Sequence, residues 1–325
     1  MVGKVLGFAA QIAPWAVVSG LAYAAAFIKP TVEPLPLPQP LSEPRDLFYD
    51  VAGSPQSSVW FAGNNGVILE RNGADDSWVR HSMERAINLQ GIATSDTGLV
   101  VAVGNQGWLF RNDGSGWESQ QLPVSEIAGK LIEVAWLDGH FWAIGEMGAV
   151  FRGSADGQNW TDLSLDGDVA MNDIARSSDG RLWVTAEFGT LYQSTDNGQS
   201  WQGEELGYES LRSLAFNDDQ GVIVGNGGVV YLSMNGGESW QRHQSGTEEH
   251  LYDVIYDGER WLATGNGGAL ISSDNGAKWS DIQPDGFASG YHARLMATEE
   301  SVLLAGSTIG RLSGERWTQW PEGGE

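Results

Sequence analysis

The sequence predicts an all-β fold: a seven-bladed β-propeller of four-stranded blades, preceded by one N-terminal transmembrane helix. Three marks predict the propeller. A short apolar strand ending in a Gly-rich turn recurs about every 40 residues, with its first turn position at Gly63, Gly104, Gly145, Ala186, Gly225, Gly265 and Gly306. A Trp opens a later strand at Trp78, Trp117, Trp160, Trp201, Trp240, Trp279 and Trp317. An apolar position recurs in the first strand at Val51, Ile92, Val134, Ile174, Leu214, Val254 and Met296.

Each copy reads as four short strands. In the sixth these are LYDVIYD, RWLATG, GALISS and WSDI, broken by Asp-Gly, Gly-Gly and Asp-Asn-Gly turns. No long helical periodicity follows residue 46. A β-solenoid is the structural alternative, but its repeats are usually shorter. Every copy reads as complete, so the ring is expected to close blade against blade, without a swapped strand.

Ahead of the repeats, residues 5–28 carry no charge and are long enough to cross a ~30 Å hydrocarbon core. They exceed the roughly 7–15 apolar residues of a signal peptide, which favours an uncleaved anchor over residues 1–28. With a short N-terminal tail inside, the expected location is the inner membrane, single-pass, with the propeller on the periplasmic side. Ala16, Gly20 and Ala24 form a small-residue stripe suited to packing in the membrane. Residues 29–44 hold six prolines and read as a polyproline spacer. Residues 45–325 form the propeller.

Charge and composition exclude several classes. The 325 residues carry 18 Lys+Arg against 42 Asp+Glu, a net charge of −24. Residues 1–44 are neutral, so all of that charge lies on the propeller. Phosphate binding needs a basic footprint, so nucleic acid is not an expected partner. The absence of Cys removes thiolate metal sites and a cysteine nucleophile. The five His show no metal-ligand spacing, and the acidic stretch Asp166, Asp168, Asn172, Asp173 reads as a solvated turn. The GNGG runs at 225–228 and 265–268 join two strands and open no helix, unlike phosphate loops. No catalytic, cofactor-binding or metal-binding residue is assigned, and no cofactor is expected.

The turn between the third and fourth strands carries the Asp-box pattern S-x-D-x-G-x-x-W. It is complete at Ser194, Asp196, Gly198, Trp201 and at Ser272, Asp274, Gly276, Trp279. The copy Ser233, Asn235, Gly237, Trp240 has Asn for Asp, and Ser154, Asp156, Gly157, Trp160 is one residue short. The side-chain oxygen caps turn N–H groups, which makes the box a structural motif.

Asp-boxes combined with L-x-x-V and A-x-G-x-x-G strands resemble the photosystem II assembly and stability factor-like propellers, over residues 46–320. The resemblance implies a non-enzymatic, seven-bladed scaffold that helps membrane complexes assemble. That family often carries Arg two residues before the apolar mark of the first strand. Here Arg212 and Arg294 match, while Tyr49, Gln90, Ile132, Asn172 and Tyr252 do not. The departure points to the non-photosynthetic bacterial branch, whose implied partner is a transporter of the resistance-nodulation-division (RND) type. Sialidases share the Asp-box but have six blades, three substrate-binding Arg and an R-I-P motif absent here. A carbohydrate- or ligand-binding module, or an Asp-box glycosidase, are the alternatives.

In a propeller, the turns between strands two and three share one face with the links between blades. Loops on a rigid ring carry recognition. The expected partner-binding residues on this face are Met147, Phe188, Arg212, Phe287, Tyr291 and Arg294.

Overall fold

The computed structural model describes residues 13–23, 25, 40–54, 56–287 and 290–321. Residues 41–325 form one compact unit, distinct from residues 1–40. It holds seven antiparallel four-stranded sheets, each built from four strands consecutive in sequence. The blades span residues 48–82, 89–121, 131–162, 171–205, 211–244, 251–281 and 292–320. They are called blades 1 to 7 below.

The first strand of each blade is innermost, and each packs beside the first strands of both neighbours. The last strand is outermost and mostly exposed, as in Gln202–Glu205 of blade 4. The ring closes as expected, with both end blades complete. Phe48, Val51, Phe61 and Leu69 of blade 1 pack on Leu303, Ala305, Ile309 and Trp320 of blade 7. Second strands are buried on both faces, which explains their unbroken apolar runs such as Val100–Gly104.

The Gly that ends the second strand in every blade but blade 4, where Ala186 stands, has a steric cause. In each blade the next N–H donates to the carbonyl just before the first strand, as from Asn266 to His250 at 2.9 Å. This pulls the two chains together. A Cβ at Gly265 would lie 2.0 Å from the His250 oxygen, and one at Gly104 would lie 2.1 Å from Asn88. Gly265→Ala is therefore expected to cost ~1–3 kcal/mol. Urea denaturation reads this directly, and an unchanged midpoint would discard the close-approach account.

The Asp-box is a structural turn that also seals the seams between blades. Ser194 and Ser200 hydroxyls both donate to Asp196, at 2.8 and 2.6 Å. The Ser200 bonds lead the causes that hold the Asp196 carboxyl at about 2. Gly198 has φ +78°, and a Cβ there would meet Trp142 of the preceding blade at 2.7 Å. Arg111 and Arg181 each reach across a seam to a backbone carbonyl of the next blade's turn, Asp156 at 2.6 Å and Gly236 at 3.0 Å. The sixth box is shifted by one from the expected register. Ser273 and Asn275 take the polar roles, with the Asn275 side chain accepting from the Ala277 N–H at 3.0 Å. Ser273 is the buried serine, paired with Trp261 in the ladder. The turn is thus the short form of blade 3, and in both blades the Trp indole donates to the box Gly carbonyl.

The membrane expectation is corrected. Among the described residues no helix is long and apolar enough to cross a membrane. The helical run 13–23 rises only about 16 Å at ~1.5 Å per residue, against a ~30 Å core. The single-pass inner-membrane assignment, and the periplasmic side that followed from it, therefore fall. Ala16 and Gly20 lie exposed on this helix. Ala24 and most of the Pro-rich stretch lie outside the described residues.

Candidate functional site

The inner strands all begin alike. In every blade a register shift follows the strand's first ladder pair, between Phe48 and Asp50 in blade 1 and between Leu211 and Ser213 in blade 5. A bulge re-aims the side chain it contains. The bulged residues are Tyr49, Gln90, Ile132, Asn172, Arg212, Tyr252 and Ala293. Together with Tyr291 and Arg294 they line a cavity of ≈ 120 Å³. This is the mouth of the central channel, on the face that carries the strand-two-to-three turns and the inter-blade links.

One residue deeper is a second ring: Asp50, Gly91, Glu133, Asp173, Ser213, Asp253 and Arg294. Its carboxylates staple neighbouring blades. Asp50 accepts the N–H of Val51 at 2.8 Å and of Ile92, one blade on, at 2.6 Å. Asp173 does the same with Ile174 and Leu214, at 2.8 and 2.9 Å. Asp253 accepts from Leu295 at 2.6 Å and from the Ser213 hydroxyl at 2.8 Å. Burial pushes Asp50 up to about 6 and raises Asp173, and it lifts Asp253 well above the usual carboxylate range. Arg294 is the ring's cation. It lies 3.4 Å from both Asp50 and Asp253 and contacts Glu133.

Arg294 is therefore displaced from its expected slot. The apolar mark of blade 7 is Leu295, whose N–H makes the repeating bond to the preceding blade, and not Met296. Counting from Leu295, Ala293 takes the place of Arg212, and Arg294 takes that of the ring carboxylates. The shared slot of Arg212 and Arg294 does not exist in the fold. The sequence reading missed the carboxylate ring and took Asn172 and Asp173 for part of a solvated turn, whereas both are buried in the first strand of blade 4; Asp50, Glu133, Asp173 and Asp253 each stand one residue before the apolar mark.

The other expected residues divide. Arg212 is half-buried at the mouth, and its Nε donates to the Asn226 side chain at 2.9 Å. No ion pair of Arg212 occurs among the described residues. Tyr291 meets Tyr252 edge-on at 5.4 Å, and burial, then Tyr49 and Tyr252, push its phenol up to about 12. Phe287 is half-buried. It stacks on His292 at 4.8 Å and on the edge of Trp317 at 5.4 Å. Burial holds His292 down at about 4. Met147 and Phe188 occupy the same turn position in blades 3 and 4, at φ +57° and +55°. Met147 is half-buried, whereas Phe188 is 63% exposed. The sequence reading passed over Ile127 and Tyr208, in links on the same face, which are 90% and 95% exposed.

Comparison with known proteins places this architecture. Residues 159–249, which contain blades 4 and 5, match the family model of the photosystem II assembly factor YCF48. These two blades hold the full-length boxes at Ser194 and Ser233, so the resemblance read from the repeats is borne out. No curated protein matches the chain significantly. Among solved structures, YCF48 bound to a D1 peptide is 18% identical, covering 82% of this chain and 92% of its own at a TM-score of 0.67. YCF48 from Cyanidioschyzon merolae is 15% identical, covering 86% and 99% at 0.68. The WD40 propeller domain of Doa1 is 13% identical, covering 83% and 93% at 0.65. At these identities the structures show the fold.

Proposed function

We propose that this chain is a non-enzymatic scaffold propeller that binds a protein partner on the face around its channel mouth. The observation that carries the reading is the bulged position. It is structurally equivalent in all seven blades, yet it holds six residue types, among them Arg212, Tyr49 and Tyr252. The position lines the mouth at one end of a rigid ring, where side chains that differ from blade to blade make an asymmetric surface. YCF48 has been solved with a D1 peptide, which supports a peptide-binding use of the same architecture. The Arg212 guanidinium and the tyrosines give the mouth both a charged donor and aromatic surface, the residue types that dominate binding energy. The finer identity of the partner, an RND-type transporter, rests on the family resemblance alone.

The test is site-specific photo-crosslinking. A benzoylphenylalanine at position 252 is expected to yield a discrete protein adduct in cells. One at Val79, on the outer strand of blade 1, is expected to yield none. Arg212→Gln is expected to lower the yield at 252 about tenfold. Equal adducts at both positions, or none at 252, would overturn the reading. Turnover of a glycoside by the purified protein would overturn its non-enzymatic part.

A further inference from the structure

We infer that the sector of this face over blades 3 and 4 is the docking site for a peptide segment that combines apolar and basic side chains; the inference rests on the proposed function and names its partner class. The sector is continuous around the ring. The link carrying Ile127 is tied to the blade 2 turn by the Gly107 N–H to Gly129 carbonyl bond, at 2.8 Å. The blade 3 turn is tied to the next link by Gly148 to Val169 at 2.8 Å, and the blade 4 turn to the following link by Leu206 to Gly189 at 2.9 Å. In that order the chain presents Ile127, Phe188 and Tyr208.

Single exposed apolar residues need no explanation. Among the described residues, three of the four large apolar propeller side chains that are more than 60% exposed fall in one sector of one face; the fourth, Met234, lies in an Asp-box turn at the other end. Phe188 adds a second argument. Its backbone sits in the left-handed region at φ +55°, where blades 5 and 6 place Gly227 and Gly267 and blades 1 to 3 place Asn65, Gln106 and the half-buried Met147. A bulky side chain at such a position costs ~1–3 kcal/mol, so the fold alone gives no reason to keep an exposed Phe there.

Charge selects the occupant. Glu126, Asp166 and Glu187 flank these residues and enter no ion pair among the described residues. The nearby cations Lys130 and Arg242 are already paired, with Glu146 and Glu209. Exposed apolar surface rimmed by unpaired carboxylates complements a segment bearing Lys or Arg beside Leu or an aromatic residue.

The probes are two fluorescein-labelled peptides on the full chain. One alternates Lys with Leu and Trp; the other carries Glu for Lys. Fluorescence anisotropy is expected to show saturable binding of the Lys peptide only, weakened by salt. Phe188→Gly and Tyr208→Ser are each expected to weaken it about tenfold or more. Both leave the net charge unchanged, so general attraction to an acidic protein would survive them. Phe188→Gly also relieves the left-handed strain, so its melting temperature is expected not to fall, which excludes misfolding as the cause. Equal binding of the two peptides, or Lys-peptide binding indifferent to both variants, would overturn the inference. If crosslinking at 252 persists while these variants bind as before, the sector assignment fails and the protein-binding reading stands. If crosslinking also fails, the broader reading fails with it.

Discussion

Arg294→Met is expected to destabilise the protein by about 3–5 kcal/mol at neutral pH, the usual cost of stranding buried charge. That corresponds to a drop of roughly 10 °C in melting temperature for a domain of this size. The substituted side chain fills similar space, so lost packing is a small part of the loss. What remains is Asp50, Glu133 and Asp253 around an empty charge position, with Asp173 close enough to Asp50 and Asp253 to raise both. The pH dependence separates this cause from ordinary core damage. The folded-state pKa of Asp50 is raised from 3.8 to about 6, so between those values the folded protein holds a proton that the unfolded chain has released. Stability then falls as pH rises through that window, by linkage. Asp173 and Asp253 are shifted the same way. Carboxyls lowered in the fold, such as Asp113 and Asp196, lose their contribution only below about pH 4 and do not interfere. His292, held down at about 4, acts in the opposite direction over the same window, but it does so in the native protein and the variant alike. The difference between them is therefore the reading: the Arg294→Met deficit is expected to shrink at pH 5 relative to pH 7.5. Protonated carboxyls no longer need the guanidinium. A deficit that is the same at both pH values would show that Arg294 acts as packing and not as the ring's counter-charge.

This ring also marks where sequence reasoning stopped. The blades were legible because each has one buried ladder and one polar turn, and these repeat as Gly, Trp and aliphatic marks. The register of blade 7 was not, because Leu295 and Met296 are both apolar. The Leu295 N–H donates across a seam to Asp253, and Leu295 is the more buried of the two, which distinguishes them. The sixth Asp-box failed for a similar reason. Ser272 and Ser273 are adjacent, and the ladder pairing of Ser273 with Trp261 decides which one turns inward. At the candidate site, loop position sufficed to place Phe188 on an exposed turn and Tyr291 at the channel mouth. The packing of Phe287 against His292 and Trp317 was not legible, because nothing local shows those contacts. The exposed Ile127 and Tyr208 follow from the paths of their links, which sequence periodicity does not describe.

Trp261→Ala is expected to cost about 3–5 kcal/mol, at the upper end for a core truncation. Trp261 is fully buried in the second strand of blade 6, among Val222, Val224 and Leu232 of blade 5 and its own Trp279. Its ring lies 5.3 Å from Tyr256. It does more than fill space. The indole N–H donates to Gln220 of blade 5 at 3.0 Å, and the Gln220 amide donates back to the Asn275 carbonyl of blade 6 at 2.9 Å. Truncation thus opens a cavity and cuts a two-way bridge across one seam. Trp261→Phe keeps most of the volume and loses only the donor, so about 1 kcal/mol of coupling is expected between it and Gln220→Ala in a double-mutant cycle. A closed ring has no spare seam: loosening one relieves the constraint on every inner strand. Unfolding of Trp261→Ala is accordingly expected to remain a single transition at lower denaturant. A biphasic melt, with blades 5 and 6 lost first, would show that the seams act independently. The same seam positions Arg212 and Tyr252 at the channel mouth. Partner capture by Trp261→Ala under conditions where it is fully folded is therefore expected to fall as well, although the residue touches no part of the mouth.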